Sequence, residues 1–354
     1  MERRELPLPE FYDPANAADW AYEPAAERLI EQAARWRRRH RLKPVSDDHL
    51  DVRLLIIDGQ RDFCFPEGSL FVGGRSGRGA IDDNDRLCRF IYRHLSLLGE
   101  ITCTLDTHLP HQIFFASFWL GETGEPAQAN RTVTLADLDS GDLRPDPALA
   151  ARFGDGSYGW LERQVRDYCA NLEASGRYQL FLWPPHCLLG SRGQTLAGVI
   201  QEARLFHSFA RAATGRLEIK GTAPLTEYYS ALAPEVSTAH DGSPLASTNT
   251  RLVDELLAAD RLIVAGQAAS HCVKATMEDL LTAARERGPR TTEKIYLLED
   301  CCSAVTVPGP AEGDAPLFDF TDDAEAAFER LAEGGIRRIR STDPPAAWPG
   351  FSSS

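Results

Sequence analysis

Short apolar runs alternate with stretches of helical periodicity from residue 52 to residue 340. Runs rich in Val, Ile and Leu predict strands at 52–58, 100–105, 178–183, 217–220, 262–265, 294–298 and 336–340. Apolar positions three and four residues apart predict helices at 82–98, 161–172, 195–213, 249–259, 273–281 and 322–333. Asp82, Asp83 and Asn84 offer a cap for the first of these helices. This alternation predicts an α/β domain with a mostly parallel, doubly wound sheet.

Three segments lie outside this alternation. Residues 1–50 form an N-terminal extension with one helix predicted at 24–36, whose apolar stripe packs on the core or on a partner subunit. Residues 120–178 are rich in Gly, Asp and Pro. We expect them to be an insertion into the domain at 51–340, serving as a lid or as a contact in a homo-oligomer. Residues 341–354 are expected to be a polar tail.

Composition and charge exclude several classes of protein. The chain has 354 residues and a net charge of −14, which argues against a general nucleic-acid binder. It has no apolar run near the roughly 20 residues that span a bilayer, and its first residues lack the apolar core of a signal peptide. Eight cysteines occur without repeated C-x-x-C pairs, so we expect reduced thiols in the cytoplasm. These features indicate a cytoplasmic protein with no nucleic-acid partner and no membrane partner.

The stretch 261–272 ends in a cysteine at the point where a predicted strand gives way to a helix. Unpaired N–H groups and the positive end of a helix dipole lower the pKa of a thiol and can hold an oxyanion. Cys272 is therefore a candidate nucleophile. The alternative is that it fills the core as a small apolar residue, as most free cysteines do.

Other polar residues also follow predicted strands, namely Asp58, Asp106 with His108, His186, and Lys220. Because the carboxyl ends of parallel strands meet at one edge of a sheet, we expect these side chains to lie near Cys272. Asp-x-His places an oxygen and an imidazole in reach of one ion, and His186 supplies the third ligand that such a site needs. Alternatively, the Asp-x-His pair is only hydrogen-bonded, Asp58 caps a helix and Lys220 is solvated.

Five motifs in this order carry a resemblance to a known family. They are Ile-Asp-Gly-Gln-Arg-Asp-Phe at 57–63, Leu-Asp-Thr-His at 105–108, Trp-Pro-Pro-His-Cys at 183–187, Lys-Gly at 220–221 with Tyr-Ser at 229–230, and Gly-Gln-Ala-Ala-Ser-His-Cys at 266–272. Together they resemble the isochorismatase-like cysteine hydrolases, and most of all the nicotinamidases. The resemblance spans about residues 52–340 and implies a six-stranded parallel sheet with helices on both faces.

The resemblance implies a catalytic triad of Asp58, Lys220 and Cys272. The expected reaction is hydrolysis of nicotinamide, or of a closely related small amide, to the acid and ammonia through a thioester. The backbone amides of Ala268 and Cys272 are implied to form the oxyanion hole, and the peptide bond between residues 267 and 268 is expected to be cis.

The resemblance also implies a metal site and a ring-binding site. Asp106, His108 and His186 would bind a divalent metal, namely zinc, iron or manganese. Phe63 and Trp183 would stack on the flat ring of the substrate, although both could equally be core aromatics.

Departures from the family pattern leave two further hypotheses open. The chain is longer than a typical nicotinamidase, Gln267 replaces an apolar residue, and His111 stands closer to His108 than the further histidine expected there. The enzyme could therefore act on another small amide, such as a ureido acid, maleamate or a carbamoyl compound, although such relatives often lack the metal residues. The chain could also be an inactive relative that serves as an interaction module.

Overall fold

A computed structural model describes residues 5–309 and 314–351. Its helices are α1 (Ala26–His40), α2 (Arg61–Cys64), α3 (Gly79–Arg93), α4 (Leu135–Ser140), α5 (Ala150–Phe153), α6 (Tyr158–Ser175), α7 (Gly198–Arg211), α8 (Thr250–Ala258), α9 (Cys272–Arg287), α10 (Pro289–Thr292) and α11 (Thr321–Glu333). Its strands are β1 (Val52–Ile57), β2 (Glu100–Asp106), β3 (Trp119–Gly121), β4 (Arg131–Val133), β5 (Leu143–Pro145), β6 (Leu180–Leu182), β7 (Arg216–Lys220), β8 (Arg261–Gly266), β9 (Ile295–Leu298), β10 (Thr306–Val307), β11 (Phe318–Asp319) and β12 (Arg337–Ile339). In the described ranges, none of the helices is long and apolar enough to cross a membrane.

A six-stranded sheet forms the centre of the domain. Its order is β12-β9-β8-β1-β2-β7, and each neighbouring pair is parallel. The chain runs outward from β1 through β2 to β7 and then returns to the other side of β1 for β8, β9 and β12. This reversal creates a switch point between β1 and β8, the place where open α/β sheets form ligand sites. The predicted α/β fold with a doubly wound parallel sheet is confirmed.

The central strands are apolar because helices cover the sheet on both faces. Helices α1 and α3 both contact α7, and helices α8, α10 and α11 contact α9. Strand register places Ile57 opposite Gly266 and Asp106 opposite Lys220. The residues that end or follow these strands therefore lie level with one another at one edge of the sheet.

The N-terminal extension packs on this core. Leu29, Ala33 and Trp36 of α1 are buried, and the ring of Trp36 lies 6.2 Å from that of Phe206 on α7. The buried guanidinium of Arg61 donates a hydrogen bond of 2.7 Å to Glu23 of the extension. The described part of the extension thus contacts the helix layer and the segment that follows β1.

Two predicted helix starts are wrong. Helix α3 begins at Gly79, so Asp83 and Asn84 are not caps and lie buried inside the helix. Asp83 instead accepts a hydrogen bond of 2.9 Å from the Gln267 side chain. Helix α7 begins at Gly198. The residue before it, Ala197, has a non-helical ψ of 133°, and the carbonyl oxygen of Thr195 accepts a hydrogen bond of 2.9 Å from the Arg61 amide.

The strand predicted at 178–183 lies outside the central sheet. Only Leu180–Leu182 is strand, and it pairs antiparallel with Arg131–Val133 of the insertion. His186 therefore reaches the site from a loop beside the insertion, and not from the end of a central parallel strand as predicted. The sixth strand of the central sheet is β12.

The C-terminal segment is not a solvated polar tail over its described part. Trp348 and Phe351 are buried, with 2% and 8% of their surfaces exposed. The ring of Trp348 stacks at 5.8 Å on Phe90 of α3 and lies 6.0 Å from Tyr296 of β9. This segment therefore covers core residues.

Replacement of Trp348 tests whether the tail contributes to stability. We expect Trp348→Ala to lower the free energy of unfolding by about 3 kcal/mol, because a large buried ring is lost and a cavity is left. Urea unfolding monitored by circular dichroism measures the change. Trp348→Phe keeps most of the packing and should cost less than half as much, whereas equal stability of the Ala variant and the parent chain would contradict the packing role.

Candidate active site

Lys220, Asp58 and Cys272 meet at the switch point of the sheet. Lys220 ends β7, Asp58 follows β1, and Cys272 begins α9 after β8. The Lys220 Nζ atom lies 3.0 Å from Asp58 Oδ2 and 3.6 Å from Cys272 Sγ. All three residues are buried, so their charges interact with little screening by water. The structure thus brings together the three residues that the resemblance implied as a triad.

Thr104 fixes the orientation of Asp58. No motif in the sequence points to this threonine. The Thr104 hydroxyl donates a hydrogen bond of 2.5 Å to Asp58 Oδ1 and accepts one of 3.0 Å from the Asp58 amide. Thr104 belongs to β2, the neighbour of β1 in the sheet. One carboxylate oxygen is therefore held by Thr104 while the other faces Lys220.

Burial is the largest single influence on the pKa values of Cys272, Asp58 and Lys220. It raises the pKa of the Cys272 thiol well above its ordinary value, although the charge of Lys220 opposes the shift. Burial also raises the pKa of Asp58, with Lys220 again opposing. For Lys220 burial works against the charged form, but the carboxylates of Asp106 and Asp58 outweigh it and raise the pKa well above its usual range. The direction of the thiol pKa is therefore opposite to the lowering expected from the helix start, because burial of the sulfur outweighs the opposing charge of Lys220.

The two residues whose amides are implied as an oxyanion hole line a cavity beside this group. Ala268 and Cys272 both line it, and the peptide bond between Gln267 and Ala268 is cis, as expected. In the part of the chain that the structure describes, neither amide donates to a backbone or side-chain acceptor. Both N–H groups are thus available to a ligand oxygen, which is what oxyanion stabilisation requires.

Asp106, His108 and His186 form a second buried cluster beside the first. Their ligand atoms all lie within 4.8 Å of one another. His108 Nε2 is 2.9 Å and His186 Nε2 is 3.7 Å from the same oxygen, Asp106 Oδ2. The other oxygen, Oδ1, lies 3.1 Å from Lys220 Nζ. Burial alone would raise the pKa of Asp106, but His108 and Lys220 outweigh it and hold that pKa well below its usual range.

The donors of this cluster fit a divalent metal. His186 Nδ1 lies 2.8 Å from the carbonyl oxygen of Pro184, which can only accept, so Nδ1 carries the proton and Nε2 presents a lone pair. His108 Nδ1 lies 3.1 Å from the carbonyl oxygen of Gly221. Backbone carbonyls that orient imidazoles in this way are typical of metal sites. Two imidazoles and a carboxylate suit zinc, iron or manganese.

Gly221 makes the close approach of these side chains possible. A Cβ atom at this position would lie 2.6 Å from Asp106 Oδ1 and 2.8 Å from the His108 ring, and the backbone has a φ of 82°. A residue with a side chain would therefore displace the proposed ligands. This gives a physical reason for the Lys-Gly pair at 220–221.

A cavity joins both clusters. Phe63 and Trp183, the residues predicted to bind a ring, both line it together with Cys272 and the two histidines of the metal-type cluster. The ring of Phe63 lies 5.4 Å from that of His186. Further residues that the sequence did not single out complete the wall: Leu70, Val72, Glu227, Tyr228, His271 and Val305.

Glu227 connects this wall to the insertion. Its carboxylate accepts a hydrogen bond of 3.1 Å from Trp183 Nε1, and its amide donates one of 3.0 Å to the hydroxyl of Tyr168 on α6. Burial raises the pKa of Glu227 well above its ordinary value. The insertion thus supports the residues around the cavity through its own buried tyrosine, a long-range contact that no local motif predicts.

His111, which the sequence left open as a further ligand, lies apart from the cluster. Its side chain is exposed, and its Nδ1 atom lies 3.1 Å from the carbonyl oxygen of Ser117. The short spacing from His108 keeps it in the loop outside the cavity.

Comparison with solved structures finds proteins of the kind that the sequence resembles. A nicotinamidase and pyrazinamidase of Acinetobacter baumanii is 20% identical, with 84% of this chain and 99% of that chain covered and a TM-score of 0.48. The yeast nicotinamidase bound to the inhibitor nicotinaldehyde is 18% identical, with 82% and 99% covered and a TM-score of 0.49. A pyrazinamidase of Pyrococcus horikoshii in complex with zinc is 19% identical, with 82% and 99% covered and a TM-score of 0.42. No protein-family model and no curated protein matches the chain. At these identities and TM-scores, the function of this chain has to be inferred from its own site.

The electrostatic contribution of Lys220 can be tested at Cys272. Lys220→Met removes the cation that opposes the raised thiol pKa, so the thiolate fraction should fall. We expect the rate of iodoacetamide alkylation at Cys272 near pH 7 to drop about tenfold, which corresponds to one pKa unit. Mass spectrometry of the Cys272 peptide over time measures this rate.

Cys302 is an internal control for that experiment, because it is half-buried and the charges that shift its pKa do not include Lys220. Its alkylation rate should be the same in both proteins. An unchanged rate at Cys272 would show that Lys220 does not influence the thiol.

Proposed function

We propose that this protein is a metal-containing cysteine amidohydrolase that converts nicotinamide, or a closely related small aromatic amide, to the acid and ammonia. The observation that carries the proposal is the position of Lys220 Nζ, 3.0 Å from the Asp58 carboxylate and 3.6 Å from the Cys272 sulfur. A buried acid, a buried thiol and a cation between them are the groups that acyl transfer through a thioester needs. The adjacent Asp106, His108 and His186 would hold the metal.

The first half of the reaction forms the thioester. Ionised Asp58 takes the proton from the Cys272 thiol, and the sulfur attacks the amide carbonyl carbon. The negative charge that develops on the carbonyl oxygen is met by the amides of Ala268 and Cys272, a contribution commonly worth about 3 kcal/mol for each donor. The C–N bond then breaks as Asp58 returns the proton to the leaving nitrogen, and ammonia departs.

The second half releases the acid. Asp58, again ionised, takes a proton from water, and the hydroxide oxygen attacks the thioester carbonyl. The same two amides stabilise the second oxyanion. The C–S bond breaks, and the proton held by Asp58 returns to Cys272. Throughout the cycle Lys220 stays charged and offsets the negative charge that moves between Asp58 and the sulfur.

The remaining residues of the cavity would select and orient the substrate. A bound divalent metal would supply a Lewis-acid site for a ring nitrogen or for water and so fix the position of a pyridine ring. Phe63 and Trp183 would contact the faces of that ring, and Glu227 fixes the indole of Trp183 through its hydrogen bond of 3.1 Å. A flat aromatic amide with a basic ring nitrogen fits this combination of groups.

Ammonia release from nicotinamide tests the proposal. Purified protein should release ammonia, and Cys272→Ala should release none while retaining the fold and the metal content of the parent chain. Cys302→Ala is the matched control and should keep full activity, because Cys302 lies outside the cavity. An enzyme-linked ammonia assay and metal analysis of the same samples provide the measurements.

Two results would change the proposal. Ammonia release by Cys272→Ala at the parental rate would reject the thioester mechanism. No release by the parent chain, with metal bound and Cys272 reactive, would keep the cysteine chemistry and reject nicotinamide as the substrate.

The hydrogen bond from Thr104 predicts a shift in pH dependence. The Thr104 hydroxyl stabilises the ionised form of Asp58 and so lowers its pKa against the effect of burial. Thr104→Val removes this hydrogen bond, the pKa of Asp58 rises, and its ionised form is lost at a higher pH. We expect the acidic limb of kcat/KM to move upward by about one pH unit. Thr104→Ser keeps the hydroxyl and should leave the limb in place, and a Val variant with the parental pH profile would disprove the role of this bond.

A further inference from the structure

The carboxylate of Asp62 joins three segments around the proposed metal site. Asp62 lies in α2, with 6% of its surface exposed. Its Oδ2 atom accepts a hydrogen bond of 2.7 Å from the backbone amide of Cys187. Its Oδ1 atom accepts hydrogen bonds of 3.1 Å from the amide and 3.3 Å from the hydroxyl of Ser69. No step proposed above uses this carboxylate.

Cys187 connects Asp62 to both histidines of the metal-type cluster. It directly follows His186, and its backbone has a φ of 47°, in the left-handed region. Its carbonyl oxygen accepts a hydrogen bond of 3.0 Å from the amide of His108. Asp62 therefore holds the amide of Cys187, and His108 holds its carbonyl oxygen. These two bonds fix the backbone position of the neighbouring His186.

Gly193 leaves room for the Asp62 carboxylate beside Cys187. The carbonyl oxygen of Gly193 accepts a hydrogen bond of 3.0 Å from the Asp62 amide. A Cβ atom at position 193 would lie 2.1 Å from Asp62 Oδ2, the oxygen that contacts Cys187. The space for this carboxylate exists only because residue 193 has no side chain.

We propose that Asp62 is a positioning residue for metal binding. It holds the 186–187 peptide so that His186 Nε2 stays beside Asp106 Oδ2, and it does so without touching the ion. A carboxylate suits this position because both of its oxygens accept, and bonds from N–H groups to a charged acceptor are stronger than neutral ones. This inference rests on the metal site of the proposed function and adds a residue that acts on it through the backbone.

Zinc affinity of the full-length chain tests the inference, with competition against a chromophoric chelator as the readout. Asp62→Ala should weaken zinc binding about 10- to 100-fold, the range found when groups that orient metal ligands are removed. Asp62→Asn keeps one acceptor oxygen and should lie between the Ala variant and the parent chain. His186→Ala removes a proposed ligand, and its zinc affinity serves as the reference for a chain that has lost part of the site.

Gly193→Ala is the second, independent variant. It introduces no charge and no metal ligand, and it should weaken zinc binding as Asp62→Ala does, because its methyl group displaces the Asp62 carboxylate. Ser69→Ala is the matched control. It removes the hydroxyl contact to Oδ1, leaves the Cys187 bond in place, and should bind zinc with parental affinity.

Thermal unfolding of the metal-free proteins separates positioning from general stability. A purely structural contact would lower the unfolding temperature and leave the zinc affinity of the folded protein unchanged. Parental zinc affinity in both Asp62→Ala and Gly193→Ala would overturn the inference and leave the proposed function standing. A parent chain that binds no zinc, iron or manganese would overturn the inference together with the metal part of the proposed function.

Discussion

The pairing of one buried ammonium group with two buried carboxylates is the interaction on which the site depends. Taking a charge out of water costs several kcal/mol unless partners of opposite charge and hydrogen-bond acceptors replace the lost solvent. Lys220 finds these partners in Asp58 at 3.0 Å, Asp106 at 3.1 Å and the carbonyl oxygen of Tyr228, to which it donates at 2.8 Å. The two carboxylates would repel each other without this cation. The same ammonium group also lies 3.6 Å from the Cys272 sulfur, so the cation that pairs the carboxylates also opposes the raised pKa of the thiol.

The parallel sheet makes this arrangement possible. Asp58, Asp106, Lys220 and Cys272 are distant in sequence, but they end or follow four adjacent strands in the order β8-β1-β2-β7. Parallel pairing in register brings the carboxyl ends of these strands level, and the reversal of strand order between β1 and β8 opens the space above them. The fold therefore places the charged groups next to one another at the strand ends. Helices on both faces of the sheet exclude the water that would screen their charges.

The parts of this structure that sequence reasoning could predict are those set by local pattern. Apolar runs such as 52–57 and 261–266 predict buried strands, and their ends predict where Asp58 and Cys272 lie. The prediction fails for the strand before His186, because an antiparallel partner from the insertion, 131–133, decides its place and such distant pairing leaves no periodic signal. The thiol pKa was predicted in the wrong direction for a similar reason. A helix start is visible in the sequence, whereas burial of the sulfur, the largest cause of the raised pKa, is not.

Asp106 links the two halves of the site, because its two oxygens serve different clusters. Oδ1 lies 3.1 Å from Lys220, and Oδ2 faces both histidines, at 2.9 Å from His108 Nε2. A divalent cation held by Asp106 would compete with Lys220 for the negative charge of that carboxylate. Asp58 would then contribute a larger share of the electrostatic stabilisation of Lys220. That stronger pairing would favour the ionised form of Asp58, the form that the proposed reaction requires as the acceptor of the thiol proton. The proposed metal site and Cys272 are therefore linked through one carboxylate, although neither Asp58, Lys220 nor Cys272 belongs to the proposed ligand set.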